Sequence, residues 1–407
     1  MKAINLSTLL LLLLYTQTVY CQGLETFLEY AKANHPGLKA TYSRYQAVTE
    51  RVNQVGILPD PTLSAGVFIS PVETRVGPQI MKLSLAQRFP WFGTLKAEKS
   101  VLKQKSLIAL ESYDIQWREI EYKVTSSWYQ LNNVYQLIKF HQELLSLHES
   151  LHDITLTKFE AGTTSLANVL RIQMVIDELK INIEGLQDLL DTRKRNFNLL
   201  VNRPTGETII LPDSIISQET ILLPGDSIAR HPRLRQLTLE QEELEANLDL
   251  VNYRSLPGLG IGLDYVLTGE RTDMAVEDNG KDVFMPMVSI SLPIFRKKYR
   301  SMKDEIHFEM EANTNRLESE RINLTSAYEM AEWQYYESVR NVVLYEELIE
   351  KSDQVATLLI TEFSVSGEYL SDVLDIHQDI LKYKIKQLNA LTDRYVAAAK
   401  IKQLTGL

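Results

Sequence analysis

Two stretches of the chain, Gly93 to Gly162 and Pro293 to Gly367, contain no Gly or Pro between their ends. Each is about 70 residues, which as a single helix extends roughly 100 Å. In the first, Leu131, Val134, Leu137, Phe140, Leu144, Leu147 and Leu151 recur at spacings of three and four. In the second, Leu344, Leu348, Val355, Leu358 and Leu359 form a looser stripe. Apolar residues at this period mark the packed face of a helix, and the length predicts a coiled coil or a helical tube.

Four short segments alternate instead. Thr62–Ile69 sets Leu63, Ala65, Val67 and Ile69 against Thr62, Ser64 and Gly66, with Phe68 the exception. Met81–Arg88 sets Met81, Leu83 and Leu85 against Lys82, Ser84 and Ala86. Gly258–Val266 sets Leu259, Ile261, Leu263 and Tyr265 against Gly258, Gly260, Gly262 and Asp264. Met287–Leu292 sets Val288, Ile290 and Leu292 against Ser289 and Ser291. Period two predicts strands. Apolar residues on one side and small or polar ones on the other suit a soluble sheet or a membrane β-barrel. Four strands cannot close a barrel, and lipid tolerates no open edge, so strands in a membrane would be pooled from several chains; three copies supply twelve.

The plan is written twice. "NHPGL" (Asn34–Leu38) is answered by "RHPRL" (Arg230–Leu234), and "FPWFG" (Phe89–Gly93) by "LPIFR" (Leu292–Arg296). At one offset of 204, Phe159, Leu166, Val169, Leu170 and Ile172 recur as Phe363, Leu370, Val373, Leu374 and Ile376. Each copy of this phrase carries a glycine, Gly162 or Gly367, where the helix can break. Acids occur at two positions of the second copy, Asp372 and Asp375, where the first has Asn168 and Arg171. Spaced by three, the two acids share a helical face. The organisation expected is residues 1–21 as a leader, 22–204 as the first repeat, 205–228 as a Pro-, Gly- and Asp-rich linker, and 229–407 as the second repeat.

Charge and composition narrow the class. The net charge is −10 with acids and bases interleaved, a poor match to nucleic acid. Lys2 followed by the apolar run Leu9–Leu14 reads as a secretory signal peptide. Cleavage after Cys21 leaves a mature chain without cysteine, since Cys21 is the only one. The alternative makes Cys21 a lipid-bearing first residue, against which stands the bulky Tyr20 before it. No later run is long enough for a transmembrane helix.

Several motifs imitate chemistry. His148 and His152 have the i, i+4 spacing of a metal pair, with His141 two turns away, but surface histidines on a long helix are the expected reading. "GLGIG" (Gly258–Gly262) imitates a dinucleotide loop yet alternates within a strand. "EDNGKD" (Glu277–Asp282) reads as an exposed hairpin loop rather than a calcium site. No catalytic set, metal centre or cofactor motif is assigned, and the chain is not read as an enzyme.

An exported tandem repeat of helix, strand pair, long helix, glycine phrase and helix resembles the TolC-like outer membrane efflux proteins. "QRFPWFGTLKAEK", "LPIFRKKYRS" and "FSVSGEYLSDVLDIHQ" carry the resemblance most specifically, the first looking most like the heavy-metal cation branch. The resemblance covers essentially the whole mature chain. It implies a mainly α protein with a small β part, contributing four strands to a trimeric twelve-stranded outer membrane β-barrel that continues into a long periplasmic α-helical barrel. It further implies a passive exit duct for metal cations or small toxic compounds, a periplasmic adaptor (membrane fusion) protein and an inner-membrane pump of RND type. Partners then include outer membrane lipid and no nucleic acid.

In that family the duplicated phrase is the helix turn at the periplasmic tip, and acids of the second copy ring the constriction. The matching residues here are Asp372 and Asp375, with Gly162 and Gly367 at the turns. Where relatives often carry a basic latch residue after the second glycine, this chain has Glu368 and then Tyr369, and Arg171 is the candidate substitute. The competing reading is a periplasmic coiled-coil scaffold or adaptor without a pore.

Overall fold

The computed structural model describes residues 23–213, 227–366 and 369–405. The expected leader with Cys21, most of the linker, Gly367 and Glu368 lie outside the described residues. The elements run α1 (Leu24–Asn34), α2 (Pro36–Asn53), β1 (Thr62–Thr74), β2 (Gly77–Phe89), α3 (Thr94–Glu160) and α4 (Leu166–Leu200). A short 3-10 turn, Ser227–Arg230, precedes α5 (Pro232–Arg254), β3 (Gly258–Thr268), β4 (Val283–Ser291), α6 (Arg296–Ser366) and α7 (Leu370–Thr405). The Gly- and Pro-free runs are thus two unbroken helices of 67 and 71 residues. Both His-Pro junctions use the same device. His35 and His231 hold nearly identical extended dihedrals, and each carbonyl accepts from the two amides three and four residues on. The following prolines, Pro36 and Pro232, start their helices where a missing N–H costs nothing. No described helix is long and apolar enough to cross a membrane.

The chain divides into two compact units, each drawing on both repeats. One comprises Ala40–Ile115 and Arg230–Asn323 and contains the four-stranded antiparallel sheet, ordered β1-β2-β3-β4. Directly paired residues project to the same side of a sheet. The register pairs Leu63 with Leu85, Leu85 with Leu263, Ile261 with Val288, and Leu259 with Ile290. One face is therefore a continuous apolar surface, and it is exposed. The other carries Ser64, Ser84, Asp264, Gly260 and Ser289, with an ion pair between Lys82 and Asp264. Transfer out of water is worth roughly 1.5–3 kcal/mol for each large apolar side chain. Leu63, Val67, Ile69, Leu85, Ile261, Leu263, Val288 and Ile290 leave that stabilisation unrealised in a single chain.

All four strands are longer than their alternation indicates, and β1 and β4 each take in a proline. β1 runs through Pro71 to Thr74, and β4 begins at Val283 and contains Pro286. Both are edge strands, where a residue without an N–H is tolerated, and β1 changes register between Val67 and Val72 to absorb the break.

The second unit, Met1–Lys39, Gln116–Ala229 and Leu324–Leu407, is helical in its described parts. Its seams differ from the apolar stripes. On α3 the buried line is Leu131, Val134, Ile138, His141, Leu144, His148, Leu151 and Thr155, while Leu147 of the expected stripe is exposed. On α6 it is Leu324, Tyr328, Ala331, Tyr335, Ser338, Ser352, Ala356 and Phe363, which keep one seven-residue phase although the positions between Ser338 and Ser352 are at most half-buried. Of the expected stripe, Leu344, Val355 and Leu358 are exposed, Leu358 at 67%, while Leu348 and Leu359 are half-buried and Leu359 packs against the core. Small seam residues let the helices approach closely, which displaces the large apolar side chains onto another face.

Candidate functional site at the duplicated helix turns

The two copies of the duplicated phrase meet in one core. Leu151 of α3, Ile172 and Ile176 of α4, Phe363 of α6, and Leu370, Val373 and Leu374 of α7 form a single buried cluster. Equivalent positions nevertheless take different environments. Phe363, Leu370 and Leu374 are buried, whereas Phe159, Leu166 and Leu170 are exposed.

The turns differ as well. At the first, Gly162 ends α3 with φ +74. The Thr163 amide donates to Lys158 O at 2.9 Å, which closes the helix end through a left-handed residue. Ser165 then opens α4 from an extended conformation. At the second, the left-handed residue is Tyr369, with φ +67, immediately before α7. At the offset of 204, Tyr369 corresponds to the extended Ser165, so the left-handed residue described at the second turn stands at the start of a helix and that at the first stands at the end of one. A non-glycine residue with this dihedral costs roughly 1–2 kcal/mol. The expectation that Gly367 permits the second reversal falls outside the described residues; the positive φ on the described side belongs to Tyr369.

Asp372 and Asp375 are exposed on α7, with Asp372 in the first turn, where a negative charge suits the helix dipole. Arg171 is exposed on α4 and makes no ion pair among the described residues, so within one chain it latches neither acid. A basic contact does join the turns, at a residue that the sequence pattern did not single out. Lys158 Nζ donates to Ser364 O at 3.1 Å and lies 5.5 Å from the centre of the Phe363 ring. Its position, four residues before the first glycine, resembles any solvated lysine in a helix, and the signal lay only in its counterpart being Glu362.

The histidines correct the surface reading. His148 is fully buried and faces His377 of α7, with ring centres 5.5 Å apart. Neither His148 nitrogen has a hydrogen-bond partner, and Nδ1 of His377 has none. Burial, then the neighbouring His377, pushes the His148 pKa down to about 4. Burial lowers that of His377 too, opposed by Asp353. His141 is also buried, with Nδ1 2.8 Å from Leu137 O. These side chains lie on the α3 seam, and a reading that counts only apolar residues misses them. A cavity of about 370 Å³ lies beside His377, lined among others by Phe140, Glu143, Asp353 and Lys384.

Residues 223–407 match the model of the family described as Outer membrane efflux protein. Among curated proteins, none matches the chain by sequence. Among solved structures, the outer-membrane channel OprN is 16% identical, with a TM-score of 0.76 over 94% of this chain and 89% of that one. CusC, from work on folding and transmembrane channel formation, is 13% identical, with a TM-score of 0.77 over 94% and 91%. The outer membrane protein VceC from Vibrio cholerae is 14% identical, with a TM-score of 0.76 over 94% and 96%. These values are too alike to select the heavy-metal branch. Residues 223–407 thus resemble the outer membrane efflux protein family, and over 94% of its length the chain has the fold of these outer membrane channel protomers.

Proposed function

We propose that this chain is one protomer of a trimeric exit duct in the outer membrane, passively conducting substrates delivered by an inner-membrane pump through a periplasmic adaptor. The observation that carries the reading is the sheet: one continuous exposed apolar face and two edge strands, β1 and β4, each with its outer edge unpaired among the described residues. In water such a face is a large exposed patch, and such edges are sites of aggregation. In lipid the face is solvated by acyl chains, and the edges must be closed by other copies. Three copies make a closed barrel of twelve strands. A periplasmic scaffold would leave this face in contact with water.

The helical unit supports the same assembly. Leu166, Leu170, Met174 and Ile181 line one exposed face of α4, and Val355, Leu358 and Val365 are exposed on α6. Neighbouring copies in a helical tube would cover such stripes. Asp372 and Asp375 then supply six carboxylates around the constriction, a field that favours cations entering from the tip. The duct does no chemistry, and its cargo is metal cations or small toxic compounds from a pump of RND type.

The test separates the two faces of the sheet. Leu63→Arg, Leu85→Arg and Leu263→Arg should abolish outer-membrane assembly, since an arginine facing lipid at mid-depth costs about 2–4 kcal/mol. Ser64→Arg and Ser84→Arg should still give a detergent-extracted trimer. Equal tolerance of the two sets, or a monodisperse monomer in mild detergent, contradicts the proposal.

A further inference from the structure

The four strand ends that adjoin helices lie at one end of the sheet, where Thr62 pairs with Ala86, Phe89 with Leu259, and Gly258 with Ser291. Just beyond them, Ile57, Leu58, Phe92, Ile294 and Phe295 are exposed, Phe92 at 80% and Phe295 at 76%. These large apolar side chains adjoin, along the chain, the strand ends at which the exposed face stops. Immediately after them the charge changes. Residues 292–303 contain Arg296, Lys297, Lys298, Arg300 and Lys303 and no acid. The first three turns of α3 add Lys96, Lys99 and Lys103, and their one acid, Glu98, is paired with Arg254.

None of these eight basic side chains has an ion-pair partner among the described residues. Arg296 donates to Ser255 O, and Lys298 lies over the Tyr299 ring. Neither helix has an acid in its first turn. Unpaired cations at the positive end of a helix dipole are unfavourable unless an anion joins them. The opposite end of the sheet has the reverse balance, with five acids and two bases between Gly269 and Asp282.

We propose that this basal belt binds anionic phospholipid, with the phosphate held among the basic side chains of the first turns of α6 and α3 and the acyl chains against Phe92, Ile294 and Phe295. The inference rests on the outer-membrane reading above and adds to it a particular lipid chemistry at one rim. Aromatic residues mark the interfaces of membrane barrels, and basic side chains next to them attract anionic headgroups. The apolar belt adjoins the lipid-facing strands along the chain, and the charge beside it complements a phosphodiester. Selection among headgroups would come from the number of basic side chains within reach, and screening by salt should weaken it.

The experiment uses the full chain purified in mild detergent, with bound lipid counted by native mass spectrometry during titration with phosphatidylglycerol or phosphatidylcholine. The native protein should retain phosphatidylglycerol at least ~10-fold more tightly, since each basic residue near a headgroup is worth roughly five-fold. Lys297→Gln, Lys298→Gln and Arg300→Gln together should weaken that binding about 100-fold. The charge-keeping set Lys297→Arg and Lys298→Arg should retain it. Inorganic phosphate at equal concentration should not compete; competition would mean a free-anion site and overturn the lipid assignment. Flotation with phosphatidylcholine vesicles tests the membrane reading separately. Failure of the native protein to insert there contradicts that reading, whereas insertion with equal retention of both lipids overturns the belt alone. Retention by the glutamine variant overturns it as well.

Discussion

The duplicated phrase places the same apolar letters in two settings, and the structure treats them differently. Phe363, Leu370 and Leu374 are sealed into the four-helix core, while Phe159, Leu166 and Leu170 remain on the surface of the chain. One turn uses a glycine in the left-handed region, the other a tyrosine. The period of a pattern therefore specifies that a helix is amphipathic, but not which partner covers its face. The second copy is held by its own chain. The first is held only in part, with Val169 and Ile172 buried and Phe159, Leu166 and Leu170 facing outward.

The largest expected effect follows from that contrast. Phe363→Ala should cost about 3–5 kcal/mol in unfolding of the helical unit, as expected for truncating a buried aromatic side chain. Phe159→Ala should cost less than about 1 kcal/mol in the monomer and act mainly on oligomer stability. Denaturant unfolding of both variants measures the difference, and equal losses would erase the distinction between the copies.

The second effect depends on pH. His148 has its folded-state pKa depressed to about 4 from 6.5, so below pH 6.5 the unfolded chain takes up a proton that the folded chain refuses. Stability is then complete above pH 6.5 and declines as pH falls towards 4, by at most roughly 3 kcal/mol from this group. His377 acts in the same direction, with Asp353 opposing its shift. Protection factors of the α3 and α7 amides, taken relative to the intrinsic exchange rate at each pH, should fall between pH 6.5 and 5 in the native protein. His148→Leu should flatten this profile, and an unchanged slope would remove the buried pair from the account.

These histidines also show what was legible in the sequence. The apolar faces of the strands could be read directly, because alternation in Leu63–Ile69 or Gly258–Val266 involves only side-chain character, and the register then aligned those faces. The long helices were equally plain from the missing Gly and Pro. The seams were not, because Ser338, Ser352, Ala356, His141 and His148 are buried at positions where a reader expects leucine. The turn at Tyr369 was hidden for a related reason: a bulky residue in the left-handed region contradicts local preference.

A smaller effect sharpens the comparison of the turns. Tyr369→Gly should stabilise the second turn by up to about 1 kcal/mol, because the left-handed penalty is removed while unfolded-chain entropy takes back part of the gain. Gly162→Ala should destabilise the first by about 1 kcal/mol. A Cβ at Gly162 meets no atom within 4 Å, so the loss would report backbone conformation alone. Thermal unfolding should give opposite signs for the two, and matching signs would contradict the assignment of the reversals.

The central claim is that the second copy carries the acids because it lines a cation-favouring constriction in a passive duct. Single-channel recording in planar bilayers tests this most directly, comparing the native protein with the double variant Asp372→Asn and Asp375→Asn. The native pore should prefer cations and be blocked by multivalent cations added from the tip side. The double variant should fold and insert normally yet lose most of both properties, while changes at Asp153 or Asp188 leave them intact. The difference should shrink as salt rises. A double variant that conducts, selects and blocks like the native protein would show that the two acids are only a solvated helix start.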